Sequence, residues 1–152
     1  MPDLPEELRR ALEAEESGEL VRLVSRKRPE DFAALRSLLS LDPSIPSDFR
    51  TKALFALGRW GDPSVIPEIV RVLLRLSERE RISAITALGH LGRPEAAPAI
   101  LEFADDPSPQ VRKAATVALR RTGTPEAVAK LKQIAANDPL PWIRDLAARR
   151  AR

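Results

Sequence analysis

The chain has 152 residues, with 25 Lys and Arg against 22 Asp and Glu, which gives a net charge of +3. This length suits one domain. The chain has no Cys and a single His, which excludes disulfides, thiolate chemistry and any metal site that needs two histidines. No apolar run approaches the roughly 20 residues of a membrane span, and the acidic N-terminus lacks the apolar stretch of a signal peptide. These features predict a cytoplasmic protein.

The first 41 residues predict three helices that do not follow a clear repeat. Residues 4–16 have the pattern of an amphipathic helix, and residues 19–28 and 30–40 have that of a degenerate first helical pair. Terminal repeats of a stacked array are atypical because their outer face meets water. We therefore interpret this segment as the N-terminal cap of a single domain over residues 1–152.

From residue 42 onward the sequence repeats with a period of 31 residues. Ala-Leu-Gly at 56–58 recurs at 87–89 and, as Ala-Leu-Arg, at 118–120. We assign full copies to 42–75, 76–105 and 106–136, and a partial capping copy to 137–152, which runs one residue late. The period is shared by turn glycines, by prolines and by arginines, namely Gly61, Gly92, Gly123, Pro63, Pro94, Pro125, Arg50, Arg81, Arg112 and Arg144.

Each copy predicts two antiparallel helices. In the third copy Ser108 is a suitable N-cap and Pro109 a suitable first helical residue, while Gly123 suits a turn with positive φ. The second helix of this copy is predicted to face inward through Val128, Leu131, Ile134 and Ala135. Small residues are expected to let neighbouring first helices approach, namely Ala53, Ala84 and Ala115. Helices this short are only marginally stable in isolation, so each pair must bury its apolar stripe against the next pair. We therefore predict an all-α protein, a right-handed α-solenoid of about four and a half hairpins.

The segment from Asp106 to Ala127 carries a recognisable motif, Asp-Pro-Ser-x-x-Val-Arg-x-Ala-Ala-x-x-Ala-Leu-x-x-x-Gly-x-Pro-Glu-Ala. It resembles the HEAT-like repeat of the phycobilisome-lyase type, and the resemblance extends over about residues 42–152. It implies a helical superhelix, in a class that includes scaffolds, tetrapyrrole-lyase subunits, di-iron hydroxylases and DNA-base glycosylases. The di-iron members carry His-Glu pairs as metal ligands. Because His90 is followed by Leu91, we expect no metal and no cofactor.

The four periodic arginines, Arg50, Arg81, Arg112 and Arg144, are predicted to form a structural ladder. They fall in the first turns of the first helices, where a cation opposes the helix dipole and needs a partner. Charge-assisted hydrogen bonds to acidic residues near the repeat starts would supply one. Those residues are Asp42, Asp48, Asp106 and Asp138. The alternative is that the arginines form an anion-binding row.

No Asp or Glu falls on the predicted inward stripes, so no buried carboxylate with a raised pKa is expected for acid catalysis. We also find no phosphate loop and no nucleophile motif, and we predict no catalytic residue. The leading hypothesis is a protein–protein interaction scaffold or adaptor that is not an enzyme. Its candidate contacts on the predicted concave face of the second helices, together with one exposed aromatic, are Arg36, Glu68, Arg71, Glu102, Lys130, Lys132 and Trp142.

Trp142 occupies a position that is polar in the other copies, and His90 one that holds Arg twice, so both are predicted to be exposed. Exposed Trp is enriched at binding hot spots, although packing through Leu140 is an alternative for Trp142. The C-terminal end could be a solubilising cap or could stack on another subunit, which would give an oligomer. Its predicted apolar stripe and basic end consist of Ala147, Ala148, Ala151, Arg149, Arg150 and Arg152.

Two further functions stay open. The first is a subunit, itself without catalytic residues, of a lyase-type or tetrapyrrole-handling complex, which the resemblance implies. The second is nucleic-acid binding through a basic outer surface. Mixed charges along the second helices disfavour nucleic acid in the predicted groove. The outer cations are Lys52, Arg59, Lys113, Arg120, Arg121, Arg149 and Arg150.

Overall fold

The computed structural model describes residues 1–149, and within that range it contains ten α-helices and no strand. This confirms the predicted all-α solenoid. The first helices α4, α6, α8 and α10 pack side by side, and the second helices alternate with them along the chain. None of the helices in this range is long and apolar enough to cross a membrane. The helices are α1 (Glu6–Glu13), α2 (Gly18–Ser25), α3 (Pro29–Ser37), α4 (Ser47–Trp60), α5 (Ile66–Leu73), α6 (Glu78–Leu91), α7 (Ala97–Leu101), α8 (Pro109–Thr122), α9 (Pro125–Asn137) and α10 (Pro141–Ala148).

Three of the first helices end on a glycine in the left-handed region, with φ of 81° at Gly61, 62° at Gly92 and 64° at Gly123. A side chain at these positions would be strained, which is why the turn recurs with the period. The hydroxyl of Ser108 accepts a hydrogen bond from the Val111 backbone N–H at the start of α8. Local signals of the sequence thus set the ends of α4, α6 and α8 and the start of α8.

The second helices begin in two different ways. A short 3-10 turn precedes both α5 and α7, and each of these helices has a proline one residue after its start, Pro67 and Pro98. Proline cannot donate in the helix interior, so the α-helix can only begin near it. In the third copy Ala129 occupies this position, and α9 runs unbroken for 13 residues.

This difference overturns the inward position predicted for Val128, which is 44% exposed. Its counterparts Ile66 and Ala97 are buried. A 3-10 turn has 3.0 residues per turn instead of the 3.6 of an α-helix. The tighter turn before α5 and α7 therefore changes the angle at which these residues leave the helix, and in α9 Ala127 is the residue that packs inward.

The N-terminal cap joins the repeats through an aromatic contact. Phe32 in α3 lies 5.1 Å from the Trp60 ring at the end of α4, measured between ring centroids. Lys27 lies over the same ring, with its Nζ 5.0 Å from the centroid, and donates to the Trp60 carbonyl. Lys27 has a φ of 55°, the only positive value at a non-glycine residue among residues 1–149. Phe32 and Lys27 of the N-terminal cap thus cover the Trp60 side chain at the end of α4.

The first helices meet most closely at two glycines inside α4 and α6. A Cβ added to Gly58 would lie 2.9 Å from the Ala87 Cα, and a Cβ added to Gly89 would lie 2.9 Å from the Ala118 Cα. Real Cβ atoms do not approach backbone this closely, so the helices could not keep their spacing with any larger residue. The close approach was predicted at the alanines Ala53, Ala84 and Ala115, whereas Gly58 and Gly89, which also follow the 31-residue period, were not predicted to contribute.

Candidate functional site

Each arginine of the predicted ladder donates to a backbone carbonyl in the loop before its own helix. Arg50 reaches the Ser40 carbonyl at 2.8 Å, and Arg81 reaches that of Leu76 at 3.1 Å. Arg112 and Arg144 reach the carbonyls of Asp106 and Asp138 at 2.9 and 2.6 Å. These carbonyls follow the ends of the second helices, where intrahelical partners run out. The guanidinium groups therefore tie each first helix to the loop that precedes it.

Three of these arginines also reach a carboxylate of the following repeat. The pairs are Arg50–Glu80 at 2.6 Å, Arg81–Asp106 at 3.9 Å and Arg112–Asp138 at 2.9 Å. Two of the expected Asp partners differ from the prediction. Asp42 gives Arg50 only its carbonyl oxygen, and Asp48 pairs instead with Arg79 at 3.2 Å on the surface. The partner of Arg50 was missed because Glu80 also serves the capping box of α6, a local role that the sequence explains by itself.

Three carboxylates are buried at positions outside the predicted inward stripes. Asp31, Glu80 and Asp138 are all buried, and each is bonded to an arginine. Burial opposes ionisation of Glu80, but hydrogen bonds from Arg50 and Ser77 outweigh it and lower its pKa below the ordinary value. A carboxylate held in the charged form is poorly suited to donate a proton. Glu80 instead links its own repeat to Arg50 of the preceding repeat.

The exposed sides of α3, α5, α7 and α9, which we call the second-helix surface, hold six of the seven candidate contact residues. Three of the six, Arg36, Glu68 and Lys130, are already paired across neighbouring helices. Arg36 on α3 binds Glu68 on α5, with its Nε 3.1 Å from the Oε2 atom. Lys130 on α9 binds Asp105, which follows α7, at 2.6 Å, and also the Gln133 amide oxygen at 3.0 Å. These ion pairs bridge the outer seams of the surface.

The middle seam, between α5 and α7, is apolar. Leu74 occupies the position 31 residues before Asp105, and Ala99 the position 31 residues before Lys130. These two side chains carry no charge and cannot form the equivalent ion pair. Leu74 keeps 69% of its surface exposed, the largest value among the exposed large hydrophobic residues of the described chain. Val70, one turn earlier, is exposed as well. The sequence pattern did not predict this apolar strip, because the strip depends on which residues face each other across a seam.

The other candidates divide between two surfaces. Arg71, Glu102 and Lys132 are exposed on the second-helix surface, and within residues 1–149 none of them forms an ion pair. Trp142 belongs to α10, a first helix, so it lies in a different row from the other six. It is 43% exposed.

The first helices carry their own exposed row, which contains His90 between Arg59 and Arg121. Partial burial and these two arginines lower the pKa of His90. Two of the predicted outer cations are occupied, because Lys52 donates to the carbonyls of Leu12 and Ala14 and Arg120 donates to that of Leu146. At the C-terminal end Ala147 is buried and Ala148 and Arg149 are exposed. The predictions for Arg150, Ala151 and Arg152 concern positions outside the described residues.

A family model described as HEAT repeats matches residues 74–151, just over half of the chain. The chain belongs to the HEAT repeat family. Among curated proteins, no sequence matches this HEAT repeat chain at a significant level.

One similar solved structure is the complex of CpcE and CpcF of phycocyanin lyase from Nostoc sp. PCC7120. A chain of that complex aligns with a TM-score of 0.63 and 16% sequence identity, covering 91% of this chain and 96% of that chain. At this identity the likeness shows a shared arrangement of HEAT repeats along nearly the whole length of both chains.

Proposed function

We propose that this HEAT repeat protein is a scaffold without catalytic activity, which binds another protein on its second-helix surface. The observation that carries the proposal is the apolar strip of Leu74 and Val70 at the middle seam. Burying an exposed leucine side chain stabilises an assembly by about 1.5–3 kcal/mol. An exposed leucine in the middle of a repeat array therefore favours a protein contact.

The surroundings of this strip have the composition of an interface. The ion pairs Arg36–Glu68 and Asp105–Lys130 lie on the two flanking seams and hold their side chains in place. The unpaired charges of Arg71, Glu102 and Lys132 supply a polar rim. Interfaces commonly combine an apolar centre with such a rim. The mixed signs of this rim support a protein partner over a nucleic acid.

The buried ionisable groups support a role in binding over one in acid catalysis. Asp31, Glu80 and Asp138 are each bonded to an arginine. A general acid needs a raised pKa near the working pH, whereas the pKa of Glu80 is lowered. We interpret these carboxylates, and the arginine ladder with them, as structural.

The test is affinity capture from an extract of the source cells, with two variants of equal charge change. Leu74→Asp places a carboxylate in the apolar strip, and Ser47→Asp places one at the exposed first residue of α4. We expect the captured protein to be lost with Leu74→Asp and kept with Ser47→Asp, while circular dichroism shows that both variants fold. Equal capture by both variants would count against the second-helix surface.

A second proposal is that the partner is a related HEAT repeat chain in a lyase-type complex. The similar solved structure, which is itself a complex of CpcE and CpcF, favours this candidate. If the protein works in a tetrapyrrole-handling complex, material purified from the source cells should carry visible absorbance and a second HEAT repeat chain. Material without either would leave the general scaffold role as the better proposal.

A further inference from the structure

A groove runs between α6 and α8 on the side of the molecule formed by the exposed faces of the first helices, which we call the first-helix surface. Its base is the contact between Gly89 and Ala118, where the two helices approach most closely. The groove has a volume of about 230 Å³, and Ile82, Ala114 and Val117 contribute to its walls. Because these side chains carry no hydrogen-bonding groups, the groove is suited to an apolar side chain.

A second hollow of about 100 Å³ lies between α4 and α6. It shares Ile82, Thr86 and His90 with the larger groove and adds the ring of Phe55. The apolar surface therefore continues across α6 over two helix seams. A ligand that follows it needs at least two apolar groups several ångströms apart, as a peptide segment has.

The rim of this surface is cationic. Lys113 and Arg121 line the larger groove, and Arg59 lies over the Phe55 ring with its guanidinium carbon 5.7 Å from the centroid. No Asp or Glu lines either hollow, and within residues 1–149 these three cations form no ion pair. Burial is the main cause that lowers the pKa of His90, and the positive charges of Arg121 and Arg59 lower it further. A ligand with negative charge on both sides of an apolar centre would complement this rim.

We propose that the groove between α6 and α8 binds an acidic peptide segment of a partner protein, with an apolar side chain inserted between Ile82 and Val117 and carboxylates facing Lys113 and Arg121. The apolar walls argue against the alternative occupant, a nucleic-acid backbone, because its phosphates would meet side chains that cannot hydrate them. This site lies on the opposite row of helices from the second-helix surface and does not depend on the function proposed for that surface.

The test is a selection of peptides displayed on phage against the immobilised full chain, followed by fluorescence anisotropy with the labelled selected peptides. We expect these peptides to combine a large apolar residue with flanking Asp or Glu. Their affinity should fall roughly tenfold in Lys113→Glu/Arg121→Glu, because attraction at the rim becomes repulsion. It should also fall in Thr86→Phe, which adds no charge but fills the groove at an exposed position.

The matched control is Arg71→Glu/Lys132→Glu, which makes the same change in net charge on the second-helix surface. It should leave the affinity of the selected peptides within about twofold of the parent chain. Selected peptides without acidic residues, peptides that bind Lys113→Glu/Arg121→Glu as tightly as the parent, or peptides displaced by a single-stranded oligonucleotide at 0.2 M salt would each overturn the proposal. A selection that yields no binder would do the same.

Discussion

The seam between α6 and α8 and the seam between α8 and α10 join helices of the same kind in different ways. In the first, Gly89 lets the helix backbone touch Ala118. In the second, the equivalent position is Arg120, whose side chain donates to the Leu146 carbonyl near the end of α10. A single position of the period thus separates a seam closed by backbone contact from one bridged by a side chain.

The ion pair of the ladder is longer at the α6–α8 seam, where the backbones touch, than at the α8–α10 seam. Arg81 and Asp106 at the glycine seam are 3.9 Å apart and partly exposed, whereas Arg112 and Asp138 at the terminal seam are 2.9 Å apart and nearly buried. The terminal seam therefore depends more on polar bonds, and the internal one more on close packing. Substitutions at the two seams should separate these contributions.

The largest expected effect is at the terminal seam. Asp138→Ala leaves the Arg112 guanidinium without its countercharge and removes the acceptor for the Leu140 backbone N–H. Breaking a buried ion pair in this way costs about 3–5 kcal/mol, which urea denaturation would measure as a loss in free energy of unfolding. Asp48→Ala, which breaks an exposed pair with Arg79, should cost less than about 1 kcal/mol. Equal losses in the two variants would contradict a buried role for Asp138.

Close packing at the internal seam should give the next largest effect. In Gly89→Ala the new Cβ would lie 2.9 Å from the Ala118 Cα, so α6 and α8 must separate. We expect the free energy of unfolding to fall by about 1–3 kcal/mol, despite the better helix propensity of alanine. Gly18→Ala is the control, since no atom lies within 4 Å of the added Cβ, and it should stay within about 0.5 kcal/mol of the parent chain. A stabilised Gly89→Ala would show that this seam tolerates a wider spacing.

The side-chain bridge at the terminal seam should matter less. Arg120→Ala removes one hydrogen bond, to the Leu146 carbonyl, and should cost about 1 kcal/mol in thermal or urea unfolding. Arg121→Ala, at the neighbouring exposed position, is the control and should have little effect on stability. If Arg120→Ala leaves the stability unchanged, the hydrogen bond to Leu146 does not help to hold α10 against α8.

The smallest expected effect is the dependence of the unfolding free energy on pH through Glu80. Burial disfavours the charged form of Glu80, but hydrogen bonds from Arg50 and Ser77 lower its pKa in the folded chain below the ordinary 4.5. Its contribution to stability is therefore complete above about pH 4.5 and is lost as the pH falls through the folded value. The difference in unfolding free energy between the parent chain and Glu80→Gln should shrink as the pH drops from 6 toward 3. A difference that grows toward low pH would have the wrong sign for this linkage.

Much of the fold could be predicted from local chemistry. The turns at Gly61, Gly92 and Gly123 and the cap at Ser108 depend on residues within one or two turns of the chain, so the sequence alone displays them. The inward face of α9 was predicted wrongly at Val128 because the loss of a proline at Ala129 changes how that helix begins. Alignment of the copies by their 31-residue period does not show how each second helix begins.

The candidate sites were less accessible to sequence reasoning. The charged residues of the second helices were identified, but the apolar strip at Leu74 depends on which residues face each other across a seam. The groove between α6 and α8 exists only because Gly89 brings two helices together and leaves Ile82 and Val117 beside the gap.

The sequence by itself determined the class of fold, the number of hairpins and the position of their turns, since each follows from residues close together in the chain. The tertiary structure alone decided which carboxylates Arg50, Arg81 and Arg112 meet, which seam lacks an ion pair and where the first helices leave a groove. The physical reason is that these features depend on the distance between neighbouring repeats. Packing sets that distance, through residues about 30 positions apart.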